Sequence, residues 1–388
     1  MRGLLFIYIF LSLFSCKSFI YCKKVENSKE VYIGLVAPIL TEAKSLLHGI
    51  NTAFYEANEK NDGVVLKCLA LNDHNQFTLG VSQIKDAFML YKKTSIFMNI
   101  FNQGSLEQVL PYVLDKKILI YSTSNDDKLM DPKYKYLINT QPPISREYEA
   151  IIDYAVNVLK RGRFAIFYPE DSSGVDAVKN IEKFLGKYNL KPIVKISHSS
   201  AVLALDPVVE TIIKTQPDAL VFATNEYQAY YLCLALVRAS FYSCCFLGTS
   251  VVLPIQKYLQ ETRGIRIFAT SVVPDPENSN LLFVQNFRKN IEKYYPNTPL
   301  TFFLLFSYLG AKFLAAIIKS LNGEITMEKI VQKMESIKNY DLEGLTFNFN
   351  PEIRSVFEGL WISPGKNQPW IDVSKNKYSG QKVAGDEK

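Results

Sequence analysis

The residues best suited to chemistry stand in two short clusters, Asn102-Gln103-Gly104-Ser105 and Ser122-Thr123-Ser124-Asn125. Their hydroxyls and amides are groups that hold a polar ligand by hydrogen bonds. Each cluster follows a short apolar run, residues 95–98 and 118–121, that reads as a strand buried on both faces of a parallel sheet. In open α/β sheets, ligands bind outside the carboxyl ends of such strands. Ser105 with Gln108 three residues on matches a capping box, so a helix is expected to start there. Its free N–H groups then suit a carboxylate or another acceptor.

Other chemistry finds little support. His48, His74 and His198 have no partners at metal-ligand spacing, so no metal site is expected. Asp171-Ser172-Ser173-Gly174 reads as a helix cap rather than a nucleophile. No nucleophile elbow, phosphate loop or dinucleotide fingerprint occurs, so neither catalysis nor a cofactor is expected. Of six cysteines, Cys68, Cys233, Cys244 and Cys245 match no zinc pattern and fall in apolar runs, where Cys acts as a small hydrophobe. One disulfide among them stays open as an alternative. The net charge of +6 is scattered, which argues against a nucleic-acid partner.

These residues must be positioned by a chain of 388 residues, enough for two domains, whose 48% hydrophobic content excludes disorder. Arg2 and the apolar run 4–14 fit a signal peptide, too short to span a bilayer. Residues 1–22 are assigned to it, and the chain is expected to be exported to the periplasm or the outer face of the cell membrane. Leu13-Phe14-Ser15-Cys16 resembles the lipobox of bacterial lipoproteins, which implies lipidation of Cys16 and a tether through Lys23, Lys24 and Lys29. Cleavage nearer Cys22 is the alternative. The basic end, 374–388, is expected to fray.

Strands at 31–36, 64–71, 95–98 and 118–121 alternate with helices at 41–58 (Thr41 as N-cap), 78–91 and 105–114, the signature of a doubly wound parallel sheet. A strand at 134–138 leads into Asn139-Thr140-Gln141-Pro142-Pro143, which is too proline-rich to be helical. Alternation then restarts, with helices at 144–159, 173–187, 203–214 and 225–239. Strands are expected at 164–168, 192–196, 219–223, 244–247 and 265–269. Residues 300–321 are apolar, but Lys312 near the middle costs about 2.5–3.5 kcal/mol in a bilayer, so a buried core helix is expected. A helix at 327–337 and short strands at 345–349, 356–362 and 370–373 close the chain, the three strands as a final antiparallel patch.

From 31 to 373 this pattern resembles the type I periplasmic solute-binding proteins of ABC transporters, in particular the branched-chain amino-acid receptor group. The resemblance rests on the order of the opening strand, the Asn72-Asp73 exit and the two polar clusters. Phe164–Tyr168 with Ser173-Gly174, Pro217–Phe222, Glu343–Phe347 and Gly359–Ile362 follow in the same order. It implies two doubly wound α/β lobes, 31–141 plus 270–340 and 142–269 plus 341–373, joined by three crossings near 141–144, 269–274 and 339–343. A ligand then lies between lobes that close on it, and an ABC permease is the partner. Carried over by position, Gln103, Gly104, Ser105, Thr123 and Asn125 meet the carboxylate and amino groups of an amino-acid-like ligand. On the second lobe the resemblance points to Ser173, Asn225 and Ser250. This sequence departs from the group there: Ser173 is no aromatic platform, and Ser250 carries no charge for an ammonium group, a role left to Glu226 or Asp171. A lipoprotein regulator on the same fold, binding a protein such as a cell-wall synthase, is the alternative.

Overall fold

The computed structural model describes residues 29–40, 43–60, 62–122, 124–199, 204–365 and 368–374. The expectations for Cys16, Thr41, Thr123 and 375–388 lie outside them.

The first half of the described chain is β1 (Lys29–Ala37), α1 (Lys44–Asn58), β2 (Val64–Asn72), α2 (Phe77–Lys85), β3 (Ile96–Met98), α3 (Gln103–Leu114), β4 (Leu119–Tyr121) and β5 (Leu137–Ile138). The five strands form one parallel sheet in the order β2-β1-β3-β4-β5. α2 ends in a π-helical turn, Asp86–Leu90. The second run is α4 (Ile144–Asn157), β6 (Phe164–Pro169), α5 (Ser172–Gly186), β7 (Val194–His198), α6 (Asp206–Thr215), β8 (Ala219–Phe222), α7 (Glu226–Arg238), β9 (Cys245–Gly248), α8 (Leu253–Arg263) and β10 (Ile267–Ser271). After α9 (Leu282–Tyr294), α10 (Phe302–Lys319) and α11 (Met327–Glu335) come a ribbon, β11 (Tyr340–Leu342) with β12 (Leu345–Phe347), and then β13 (Trp361–Ser363) and β14 (Ile371–Asp372). The second sheet runs β14-β13-β10-β9-β8-β6-β7, with β13 and β14 antiparallel as the terminal patch predicts, while the first strand of that patch, β12, pairs with β11 in a separate ribbon. The fold is therefore two α/β lobes built on two sheets.

The central strands of both sheets are buried on both faces: Ile33, Leu35 and Val36 in β1 and every residue of β8 are out of water. Parallel strands covered by helices require this, and their polar residues are displaced to the strand ends. The four described cysteines are free thiols. Burial pushes the Cys68 thiol up to about 12 and that of Cys245 up to about 11, as expected of packing residues.

α10 is the core helix of the first lobe, with 13 of its 18 residues buried within the protein. Lys312 is accommodated because its ammonium donates to Glu56 Oε1 (2.8 Å), Glu343 Oε1 (2.8 Å) and Tyr308 Oη (3.1 Å). Glu343 belongs to the β11–β12 ribbon, which also stacks Phe347 on Phe313 of α10 at 4.3 Å. The chain reaches the second sheet beyond this ribbon, where Ser355 bridges Asn139 and Val356 donates its N–H to the Asn139 carbonyl at 2.9 Å. Of the strand expected over 356–362, only the end forms, because its start is bonded to this crossing segment.

α1 approaches α10 so closely that a Cβ on Gly49 would stand 2.4 Å from the Leu304 carbonyl oxygen and 2.1 Å from Ser307 Oγ. Replacing a helical Gly by Ala ordinarily stabilises by about 0.8–1 kcal/mol. Here overpacking reverses the sign, and Gly49→Ala is expected to lower stability by about 1–3 kcal/mol. Gly186→Ala, at the end of α5 with nothing within 4 Å, should raise it instead. Urea unfolding midpoints of the two variants check the pair, and a stabilised Gly49→Ala would refute the close contact.

Candidate functional site

Both sheets place their strand exits where the sequence reading put polar residues, but the local geometry differs from the expectation at α3. The N-cap is Asn102, whose Oδ1 accepts the Ser105 N–H at 3.2 Å, so Ser105 lies inside the helix rather than capping it. The Ser105–Gln108 capping box does not form. Asn102 wins because its extended backbone and short amide reach the third N–H of the helix. Ser105 is fully buried, and its hydroxyl donates to the Phe77 carbonyl at 3.1 Å, tying α3 to α2. Gln103 is exposed, with its amide on Glu107 at 3.1 Å. Gly104 keeps the first turn low, since a Cβ there would press on Asn102 Oδ1 and Phe77 at 3.2 Å.

On the second sheet, Asp171 caps α5 by accepting the N–H groups of Ser173 (2.9 Å) and Gly174 (3.0 Å). The Ser173 hydroxyl also donates to Asp171, at 2.5 Å, and this bond is the chief reason the Asp171 carboxyl is held below its usual range. Asn225 caps α7 through the N–H groups of Tyr227 (3.0 Å) and Gln228 (3.2 Å). Both are helix starts at carboxyl ends of parallel strands, β6 and β8.

Asn125 and Ser250 are brought together, and the residue that joins them is Glu147. Its Oε1 accepts from Asn125 Nδ2 (3.2 Å) and Ser250 Oγ (3.2 Å). Its Oε2 accepts from the Ser250 N–H (2.8 Å) and the Thr270 hydroxyl (2.7 Å). Asn125 follows β4 of the first sheet, Ser250 follows β9 of the second, and Thr270 belongs to β10. The carboxyl beside Ser250 thus comes from α4, while Glu226 and Asp171 stand in first-turn and cap positions elsewhere. Sequence reasoning missed Glu147, although the signal was present. It falls on the stripe of α4 shared by Ile151 and Tyr154, which are its fourth and seventh neighbours and fully buried. An acidic residue on an apolar stripe requires partners.

Glu147 is completely buried, and burial raises its carboxyl above the ordinary 4.5 against the pull of its four hydrogen bonds. A carboxyl raised in the folded state binds its proton more tightly there than in the unfolded chain. Stability is therefore greatest below about 4.5 with respect to this group and falls as pH rises through the folded value. Glu147→Gln keeps the shape, and with the Asn125 amide flipped it can satisfy every partner. Melting temperatures of the two proteins from about pH 4 to about pH 8 should therefore diverge, the variant gaining relative to wild type as pH rises. Parallel curves would show that Glu147 does not titrate in this way. Glu147→Ala, which strands four donors, should cost about 3 kcal/mol or more at any pH.

A protein-family model described as periplasmic binding protein matches residues 30–358. No curated protein sequence matches. Among solved structures, a possible leucine/isoleucine/valine-binding protein from Rhodopirellula baltica is similar with a TM-score of 0.77 at 19% identity, over 90% of this chain and 97% of that one. A branched-chain amino acid ABC transporter from Thermus thermophilus with bound valine has a TM-score of 0.74 at 15% identity, over 90% and 96%. A solute-binding protein of an ABC transporter from R. palustris in complex with benzoate has a TM-score of 0.73 at 11% identity, over 89% and 96%. At such identities the structures establish the fold, and with the family model spanning most of the sequence, the chain belongs to the periplasmic binding proteins, with the two-lobed architecture of their type I members.

Proposed function

We propose that this protein is an exported solute receptor that captures a small polar or amphipathic, amino-acid-like ligand between its lobes and delivers it to an ABC permease. The observation that carries the reading is the joining of the two sheets' strand exits through Glu147, which links Asn125 of the first lobe to Ser250 of the second. The α3 start at Gln103-Gly104, where the neutral Asn102 cap takes the Ser105 N–H, suits a carboxylate, whereas the α5 start at Ser173 already holds the Asp171 carboxylate and offers the ligand a hydroxyl. Bound valine and bound benzoate in two similar structures share the carboxylate. Glu147 already accepts four hydrogen bonds, which favours ligands held mainly through their carboxylate and apolar part over those needing a free anion for an ammonium group. Export by residues 1–22 and anchoring through a lipidated Cys16 complete the proposal. Binding and lobe closure need no catalytic group.

Thermal unfolding against branched-chain amino acids, aromatic acids and their amides tests this reading. A ligand at about 100 times its dissociation constant should stabilise by roughly 2.7 kcal/mol, with the carboxylates active and the amides silent. Ser173→Ala and Gln103→Ala should leave the unliganded melting temperature nearly unchanged and weaken a true ligand by about tenfold, or 1.4 kcal/mol. A ligand that stabilises wild type and both variants equally would place binding elsewhere.

A further inference from the structure

The free edge of the first sheet carries a groove that solute capture between the lobes does not use. β2 is the outermost strand there, on the far side of the sheet from β4, whose exit carries Asn125. Leu69 and Leu71 stand two apart on β2 and so point to one face. α2 lies against that face but does not close over it. It passes into the π-helical turn at Asp86–Leu90, where the Tyr91 N–H donates to the Asp86 carbonyl at 2.8 Å, and Tyr91 ends 70% exposed. Strand and helix thus bound a groove of about 440 Å³, with Leu69, Leu71 and Ala87 as its apolar floor and Tyr91 as a wall. That size suits a small molecule.

Gln83, Asp86 and Lys93 also line it. Gln83 Nε2 donates to the Asn72 carbonyl at 2.9 Å, which fixes the orientation of the amide. Its Oε1 is then buried without a donor among the described residues, at a cost of about 1–3 kcal/mol. Asp86 follows three residues later on the same face of the helix. It is half-buried, and among the described residues its carboxylate makes no ion pair or hydrogen bond. The Lys93 ammonium is turned to Tyr32, 3.8 Å from the ring centroid. The groove therefore offers two uncommitted acceptors, one of them anionic, above an apolar floor.

We propose that this groove is a second ligand site, for a small amphipathic amine. Its ammonium donates to the Asp86 carboxylate and to Gln83 Oε1, while its apolar body lies on Leu69 and Leu71 beside the Tyr91 ring. A neutral hydrocarbon would leave Gln83 Oε1 without a donor, and an anion would be repelled by Asp86. An aromatic body gains further from the Tyr91 ring. A peptide strand added to β2 suits the edge less well, because the edge is capped at both ends. Asn58 binds the Leu66 N–H and carbonyl at 2.9 Å each, Lys319 binds the Val64 carbonyl at 3.0 Å, and Gln83 holds that of Asn72.

Phenethylamine is the probe, and phenylacetate, with the same ring and the opposite charge, is its control. In methyl NMR spectra of the full chain, phenethylamine should shift the Leu69 and Leu71 resonances saturably, and phenylacetate should leave them in place. Asp86→Asn, which keeps the shape and removes the charge, should raise the dissociation constant read from those shifts about tenfold. Gln83→Met, which removes the acceptor at similar size, should weaken binding as well. Equal shifts with the two probes, or an affinity unaltered by Asp86→Asn, would overturn the proposal, as would phenethylamine shifts confined to other resonances. Shifts of these methyls that grow with protein concentration in the absence of amine would overturn it in favour of a second copy. The Leu69 and Leu71 signals report on this edge alone, so the outcome is independent of whether a solute binds between the lobes.

Discussion

The carboxylate of Glu147 lies out of water between the two sheets, bound by four hydrogen bonds and, among the described residues, no cation. A buried carboxyl in that position is tolerated only while every donor around it is held in place. Those donors come from the exit of β4, the exit of β9 and the middle of β10, so the group fixes three segments that are far apart in the chain. Together with the crossing contacts of Asn139 with Ser355 and Val356 and of Asn125 with Ile144, this group sets the relative placement of the two sets of strand exits, and hence of any site between them.

The same logic governs the interior of the first lobe. α10 is apolar enough to be mistaken for a membrane span, yet it carries Lys312 at its centre. The lysine is accommodated because Glu56 on α1 and Glu343 on the ribbon reach it. Gly49 lets α1 come close enough for that reach, and the aromatic stack of Phe313 on Phe347 seats the ribbon. Polar groups inside this protein act as joints between elements, while apolar burial supplies the bulk of the driving force.

Much of the fold was legible in the chain. The strands of both sheets, the core helix α10 and the antiparallel patch lie close to their expected positions, because strands buried on both faces are short unbroken apolar runs bounded by turn residues. α8 and α9 were not assigned. In α9 the buried stripe of Phe283, Val284, Phe287 and Ile291 is diluted by Gln285, Asn286, Arg288 and Lys289, so its period is present but faint. At α3 the Ser105 pattern is the more familiar one in sequence, but Asn102 is the cap, because capping is decided by which residue takes extended backbone angles. Ser173 and Asn225 did fall at helix starts, though their side-chain oxygens serve the helices themselves.

By itself the sequence determined the class of fold, the order of its elements and the polar character of the strand exits, since these depend on local periodicity and on turn and cap chemistry. It also carried the anomaly of an acidic residue on the apolar stripe of α4. Only the tertiary structure decided that Glu147 would meet Ser250, 103 residues away, and Thr270, 123 residues away. It likewise decided that Ser105 would bind α2 rather than face the crevice. Such pairings depend on how helices seat on sheets and how the sheets face one another, and no spacing along the chain encodes those distances.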